Sequence, residues 1–244
     1  MSETVTSRQN PAVRHVAKLM RSPGERRESG LAVCEGPRLL QDALACGARP
    51  LLVLRAEGTA LPPLPQCARV VTVLPALLDS LCDTRSPKGP LFTVRLTAKE
   101  GKPAPGEMCV LLDSVQDPGN VGAVLRSADA FGFSVILTPG CADFTAPKAL
   151  RAAMGAALRA TVYRMAREDA AALDMPLYAA CAGGGSVLRD MPGGGVIMIG
   201  SEGAGLCEAL RKAARGVLTI PMRAGAQSLN AAAAAAILMW EMSK

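Results

Sequence analysis

At 244 residues, half of them hydrophobic and with a net charge of +6, the chain has material for one large or two modest domains. Its longest apolar run, the ten residues Ala231 to Trp240, falls short of a bilayer span, and the opening MSETVTSRQN lacks the apolar region of a secretory signal, so neither membrane insertion nor export is expected. Eight cysteines without a CxxC pair, and the single histidine His15, argue against a disulfide framework, a zinc site and histidine-centred catalysis; they predict reduced thiols in the cytoplasm and no metal.

The positive charge is unevenly spread. Residues 1–100 hold 14 Lys+Arg against 9 Asp+Glu, and residues 101–244 hold 13 against 12. Arg8, Arg14, Lys18, Arg21, Arg26 and Arg27 face only Glu25 within their window. A solvated helix face would look like this, and so would a phosphate-binding patch. Pro11 to Met20 predicts a helix with Val13, Val16, Ala17 and Met20 as its apolar stripe, broken by Ser22-Pro23-Gly24. LAVCEG reads as a strand, Arg38 to Cys46 as a helix, LLVLR and VVTVL as strands, Pro75 to Leu81 as a short helix and Leu91 to Leu96 as a strand. Together they predict a small α/β domain over residues 1–96. Residues 97–107, beginning TAKEGKPAPG, have no apolar periodicity and read as a linker.

From residue 108 to 244 strands and helices alternate: CVLL, a helix, SVIL, a helix near Pro147 to Leu158, ATVYR, a helix near Glu168 to Leu173, LYAAC, VIMI, a helix after Leu206, VLTI and a final helix. This order predicts a mostly parallel sheet with helices on both faces. The glycine runs at 183–185 and 193–195 read as loops, and no GxxxxGK[ST] or GxGxxG is present. Three strand-ended loops concentrate the polar chemistry. In the first, LLDSVQDPGNVGAVLRSADAFG, Asn120 stands as helix N-cap, Val121, Val124, Leu125 and Ala128 form one face, and Gly132 closes the helix. Arg126 then points roughly 140° away from Val121, at about 100° per residue. The second loop is GSEGAGL from Gly200, and the third is IPMRAGAQSLN from Ile220, followed by an alanine-rich helix.

These three motifs, DPGNVGAVLRSADAFG, IGSEGAGL and IPMRAGAQSLNAAAAAAILMWE, resemble the SpoU/TrmH family of S-adenosylmethionine-dependent RNA ribose 2′-O-methyltransferases. NPAVRHVAKLMRS and CEGPRLLQDAL are similar to the small substrate-binding domain that many members carry. The resemblance implies a homodimer acting on RNA, with ribosomal RNA the first candidate and transfer RNA the alternative. A non-catalytic RNA-binding protein on the same scaffold is the rival from another class. It also implies a C-terminal trefoil knot whose loops form the S-adenosylmethionine pocket; knots are too rare to infer from pattern alone.

In the matching positions Gly200 and Gly203 would let main chain approach the cofactor, Ile220, Met222 and Leu229 would form apolar walls, and Thr138, Pro139 and Gly140 would line the same cleft. Ser228 and Asn230 offer hydrogen bonds to cofactor, substrate or backbone, with helix capping the bland alternative. Glu202 would orient the first loop or a catalytic arginine, or else favour the N-terminus of the following helix. The residue matching Arg126 is held in this family to activate the ribose hydroxyl. An arginine stays protonated in proteins, so the role favoured here is positioning the nucleotide and stabilising the developing alkoxide, with phosphate as proton acceptor. Catalytic candidates are thus Arg126, Asn120, Glu202, Ser228 and Asn230. Arg8, Arg14, Lys18 and Arg21 are the RNA-contact candidates. Phe92 is the only aromatic residue of the first domain, so contact there should rest on phosphates and RNA shape rather than base stacking.

Overall fold

A computed structural model describes residues 4–82, 89–183, 194–223, 225 and 227–244. The chain forms two compact units. One comprises residues 1–97 and 145–158, the other residues 98–144 and 159–244.

In the first unit, Asn10 accepts from the Ala12 N–H at 2.9 Å and starts α1 (Pro11–Arg21), with proline at the first helical position. The Ser22 hydroxyl then accepts from Glu25 N–H at 3.2 Å and starts α2 (Pro23–Ser29), which ends at Gly30 with φ 64°. The sequence reading saw only a break at Ser22-Pro23-Gly24. The same residues end one helix and cap the next, so α2 is a correction. Arg26 on α2 is buried and its Nη1 donates to the carbonyl of Leu19 at 2.7 Å, satisfying the C-terminal turn of α1. The strands β1 (Leu31–Glu35), β2 (Leu52–Ala56), β3 (Arg69–Val73) and β4 (Leu91–Arg95) form a mixed sheet in the order β1-β4-β2-β3, with α3 (Pro37–Ala45) after β1 and α4 (Pro75–Asp79) after β3. Val13, Val16 and Leu19 of α1 pack with Val33, Leu54, Val73 and Leu91 as its core.

The second unit holds an all-parallel sheet of β5 (Met108–Asp113), β6 (Ser134–Leu137), β7 (Val162–Arg164), β8 (Leu177–Cys181), β9 (Gly195–Gly200) and β10 (Gly216–Thr219), in the order β10-β8-β9-β5-β6-β7. On one face α7 (Arg167–Ala171) and α8 (Glu208–Ala213) cover Leu111, Ile136, Val196 and Met198. Alternate residues such as Leu112 and Ile197 point to the other face, where α5 (Pro118–Phe131) and α9 (Ala231–Met242) pack together, α9 against β9 and α5 against β6. The alanine run of α9 lets this happen: Ala231, Ala232 and Ala235 are buried with Leu238 and Met239.

Three boundaries differ from the sequence reading. The predicted helix over 147–158 is α6 (Pro147–Ala153) followed by a short 3-10 turn (Ala156–Leu158), because Met154 and Gly155 both take positive φ, 52° and 58°, which no α-helix continues through. This excursion belongs to the first unit, where α6 packs against β1, so the contiguous 108–244 domain is interrupted. The expected linker at 97–107 is partly tied down. The backbone N–H of Lys99 donates to the Val162 carbonyl at 2.7 Å along the free side of β7, and its ammonium lies 5.5 Å from the centre of the Tyr163 ring. Of the glycine runs at 183–185 and 193–195, residues 184, 185 and 193 lie outside the described residues, and Gly195 opens β9.

Among the described residues no helix is long and apolar enough to cross a membrane.

Leu125 is fully buried in α5 beneath the elements that carry the first motif. Leu125→Ala should lower the unfolding free energy of the second unit by about 3 kcal/mol, as a cavity in a packed core does. Urea denaturation followed by the fluorescence of Trp240 on the adjoining helix measures it.

Candidate functional site

The site is built where the parallel strands end. β5 and β9 pair so that Asp113 lies opposite Gly200, and Leu112 lies opposite Leu137, which brings Thr138 alongside. Asp113 is buried. Its Oδ1 accepts from the Thr138 hydroxyl and the Arg167 Nε, each at 2.8 Å, and its Oδ2 accepts from the Cys207 backbone N–H at 2.8 Å. Burial by itself would raise the pKa of this carboxyl, but the Cys207 N–H, the hydrogen bonds from Arg167 and Thr138 and the charge of Arg167 outweigh it, holding Asp113 below the usual carboxylate range. Arg167 in turn donates to the Ser114 hydroxyl and, at 2.9 Å, to the Pro139 carbonyl. Ser114 takes a left-handed φ of 56°, and a Cβ on Gly140 (φ 93°) would come within 2.8 Å of its Oγ.

The first loop differs from expectation at its cap. Asp117, not Asn120, is the N-cap of α5: its Oδ1 accepts from Gly119 N–H at 2.8 Å, and Pro118 occupies the first helical position. Asn120 sits within the first turn of α5, with its amide exposed to partners from other loops. Its Nδ2 donates to Glu202 Oε1 at 2.5 Å, and its Oδ1 accepts from Asn230 Nδ2 at 3.0 Å. Asn230 Oδ1 caps α9, accepting from the N–H groups of Ala232 at 2.9 Å and Ala233 at 3.3 Å. The ends of this chain fix its direction. A carboxylate only accepts and helix N–H groups only donate, so both amides must be oriented as found. Asn230 therefore caps its helix and also bonds the Asn120 amide, a partner the sequence did not suggest, and Glu202 bonds the first loop.

Beside this chain lies a cavity of about 360 Å³. Gly200, Glu202, Ile220, Met222, Ser228 and Leu229 of the predicted set line it. A Cβ on Gly200 would overlap the backbone of Gly205 and Leu206, so the loop 201–206 folds back only over a glycine. Gly203 has open space around it and does not line the cavity. Thr138 and Pro139 line a separate hollow with Arg164 and Met165, while Gly140 packs on Ser114. Their expected place in the same cleft is thus corrected. Thr138 is turned inward to Asp113, a bond that uses its hydroxyl. Arg126 is exposed on the outer face of α5 and, among the described residues, makes no ion pair or side-chain hydrogen bond; it does not line the cavity. In the first unit, Arg8, Arg14, Lys18 and Arg21 surround one hollow together with His15, on a floor that includes Val13, Ala17 and Leu81.

Sequence reasoning missed Asp113 and Arg167. The signal available was an acid ending a fully apolar strand, since a buried carboxylate needs partners. Its partner lies 54 residues away, beyond any spacing rule.

Residues 107–240 match the SpoU rRNA Methylase family. An uncharacterised tRNA/rRNA methyltransferase from Mycobacterium avium is 37% identical over 150 residues, which cover 58% of this chain and 48% of that protein. The chain thus spans about half the length of the first curated relatives it matches. The 23S rRNA (guanosine(2553)-2′-O)-methyltransferase RlmP of Bacillus subtilis is 28% identical over 98% of both chains. Among solved structures, an AdoMet-bound rRNA methyltransferase from Sinorhizobium meliloti superposes with a TM-score of 0.85 at 27% identity, over 99% of this chain and 97% of its own.

Asp113 gives a pH prediction. Its pKa is lower folded than unfolded, so its contribution is present above the unfolded value of about 3.9 and is lost as pH falls through the folded value. Asp113→Asn should cost roughly 2 kcal/mol at neutral pH, the scale of a lost hydrogen bond to a charged group. The gap between variant and wild type should close as the pH drops below about 4. Denaturation curves for both proteins across that range measure it.

Proposed function

The chain belongs to the SpoU rRNA methylase family, and on that premise we propose that it transfers a methyl group from S-adenosylmethionine to a ribose 2′-hydroxyl of RNA, ribosomal RNA first among its substrates. One observation carries the reading: the hydrogen-bonded chain Glu202–Asn120–Asn230 ties three loops from distant parts of the sequence into one site, with Glu202 on the wall of the cavity. The likeness to RlmP over nearly the whole of both chains supports the choice of ribose and ribosomal RNA.

The cavity residues suit S-adenosylmethionine. Ile220, Met222, Leu229 and Leu238 offer apolar walls for a planar base, while Glu202, Ser228 and Arg211 supply polar groups. When bound, the cofactor supplies an electrophilic methyl on a sulfonium. The Asn120–Glu202 hydrogen bond links the first and second loops and brings the cavity wall beside α5. Arg126 has its guanidinium free for an anionic partner and serves to position the target nucleotide and to stabilise negative charge developing on its 2′-oxygen. Asn230 and Ser228 complete the site as positioning groups.

We further propose a trefoil knot in the C-terminal segment and a homodimer. The outer face of α9, with Trp240 half exposed, Ile237 beside it and the Phe131 ring 5.9 Å from that of Trp240, supports a second copy of this chain as its partner. The hollow ringed by Arg8, Arg14, Lys18 and Arg21 is the RNA-backbone contact. Eight free thiols fit a cytoplasmic setting.

Labelled methyl from S-adenosylmethionine should enter RNA lacking the modification and render one phosphodiester resistant to alkali. Arg126→Ala should lower that transfer by about 10²–10³-fold, as for loss of a charge-stabilising group, while cofactor affinity measured by calorimetry stays unchanged. Cofactor binding without transfer to any RNA would support a non-catalytic RNA-binding protein instead. Replacing Arg14, Lys18 and Arg21 together with alanine should reduce the slope of log affinity against log salt by about 2 to 3, near 0.7–0.9 per phosphate contact. An unchanged slope would remove this face from the RNA path.

A further inference from the structure

We propose that Arg211 binds the carboxylate of the cofactor's amino-acid portion, an inference that rests on the methyltransferase reading above. The cavity wall is mostly small and apolar, and among the described residues Arg211 is the one cationic side chain that lines it. Arg211 sits on α8, exposed, and among the described residues it makes no ion pair or side-chain hydrogen bond. Its neighbour Lys212 is turned away into a pair with Glu208 at 2.7 Å. The other charged lining residue, Glu202, already accepts from Asn120 and repels a carboxylate.

S-adenosylmethionine carries three charged groups: a sulfonium, an ammonium and a carboxylate. The two cations need no cationic wall, and the carboxylate does. A guanidinium suits a carboxylate because its planar donors form two parallel hydrogen bonds. Ile220, Met222 and Leu229 offer apolar walls suited to the base, and Arg211, the free cation among the described lining residues, suits the carboxylate.

The test compares S-adenosylmethionine with decarboxylated S-adenosylmethionine, which differ only in that group, by calorimetry on the whole chain. Wild type should bind the intact cofactor about tenfold more tightly, the scale of one charge-assisted contact at a partly open site. Arg211→Ala should lose that preference by weakening the intact cofactor alone, and Arg211→Lys should recover part of it. Equal binding of both molecules by wild type, or a loss in Arg211→Ala that falls on both alike, would overturn the contact and leave the methyltransferase reading standing. Failure of wild type to bind either molecule would overturn both.

Discussion

The carboxylate of Asp113 is the constraint on which the rest of the site depends. It sits buried where the central strand β5 ends, and it cannot stay charged there without donors on every side. Those donors come from three places: Thr138 at the end of β6, Arg167 at the start of α7, and the Cys207 N–H at the start of α8. Satisfying one charge therefore fixes the end of a neighbouring strand and the entry points of two helices on the same face of the sheet. The loop 201–206 hangs between β9 and that Cys207 N–H, so its far end is anchored by the same group. Gly200 allows its near end to fold tightly.

The second layer of organisation is the amide chain on the other face. Glu202 belongs to the anchored loop, Asn120 to the first turn of α5, and Asn230 to the first turn of α9. Amides suit this place because each both donates and accepts, so order passes from a carboxylate to the exposed N–H groups of a helix. The cavity wall is consequently held from two sides: by a buried ion pair below and by an exposed, water-competitive chain above. The lower anchor carries rigidity. The upper chain is the part that substrate or cofactor can adjust, since exposed hydrogen bonds contribute little net stability.

The two units divide the chemistry by charge. The first gathers cations around a hollow on α1, on a floor of aliphatic side chains and without an aromatic platform. The second carries nearly balanced charge and concentrates its polar groups in three loops. The excursion through α6 belongs to the first unit even though it interrupts the second in sequence, so the chain crosses between the units more than once. A reading of composition along the chain has no means to see this, because α6 looks like any other amphipathic helix between two strands.

The strands and most helices were legible because the buried parallel sheet demands short apolar runs and the helices demand a regular stripe, and both are local properties. The three polar loops were legible as a group for the same reason: each follows a strand. Local pattern failed where one residue had two competing uses. Ser22 ends a helix and caps another, and Asp117 captured the cap that Asn120 was read to hold, because Pro118 is pre-set for the first helical position. By itself, then, the sequence determined the α/β architecture, the basic segment of the first unit and part of the set that gathers at the site, Asn120, Glu202, Ser228 and Asn230 among them. Only the tertiary structure decided which of them touch. Asp113 with Arg167, and Asn120 with Glu202 and Asn230, are separated by 54 to 110 residues, and such pairings follow from strand order and register rather than from spacing along the chain.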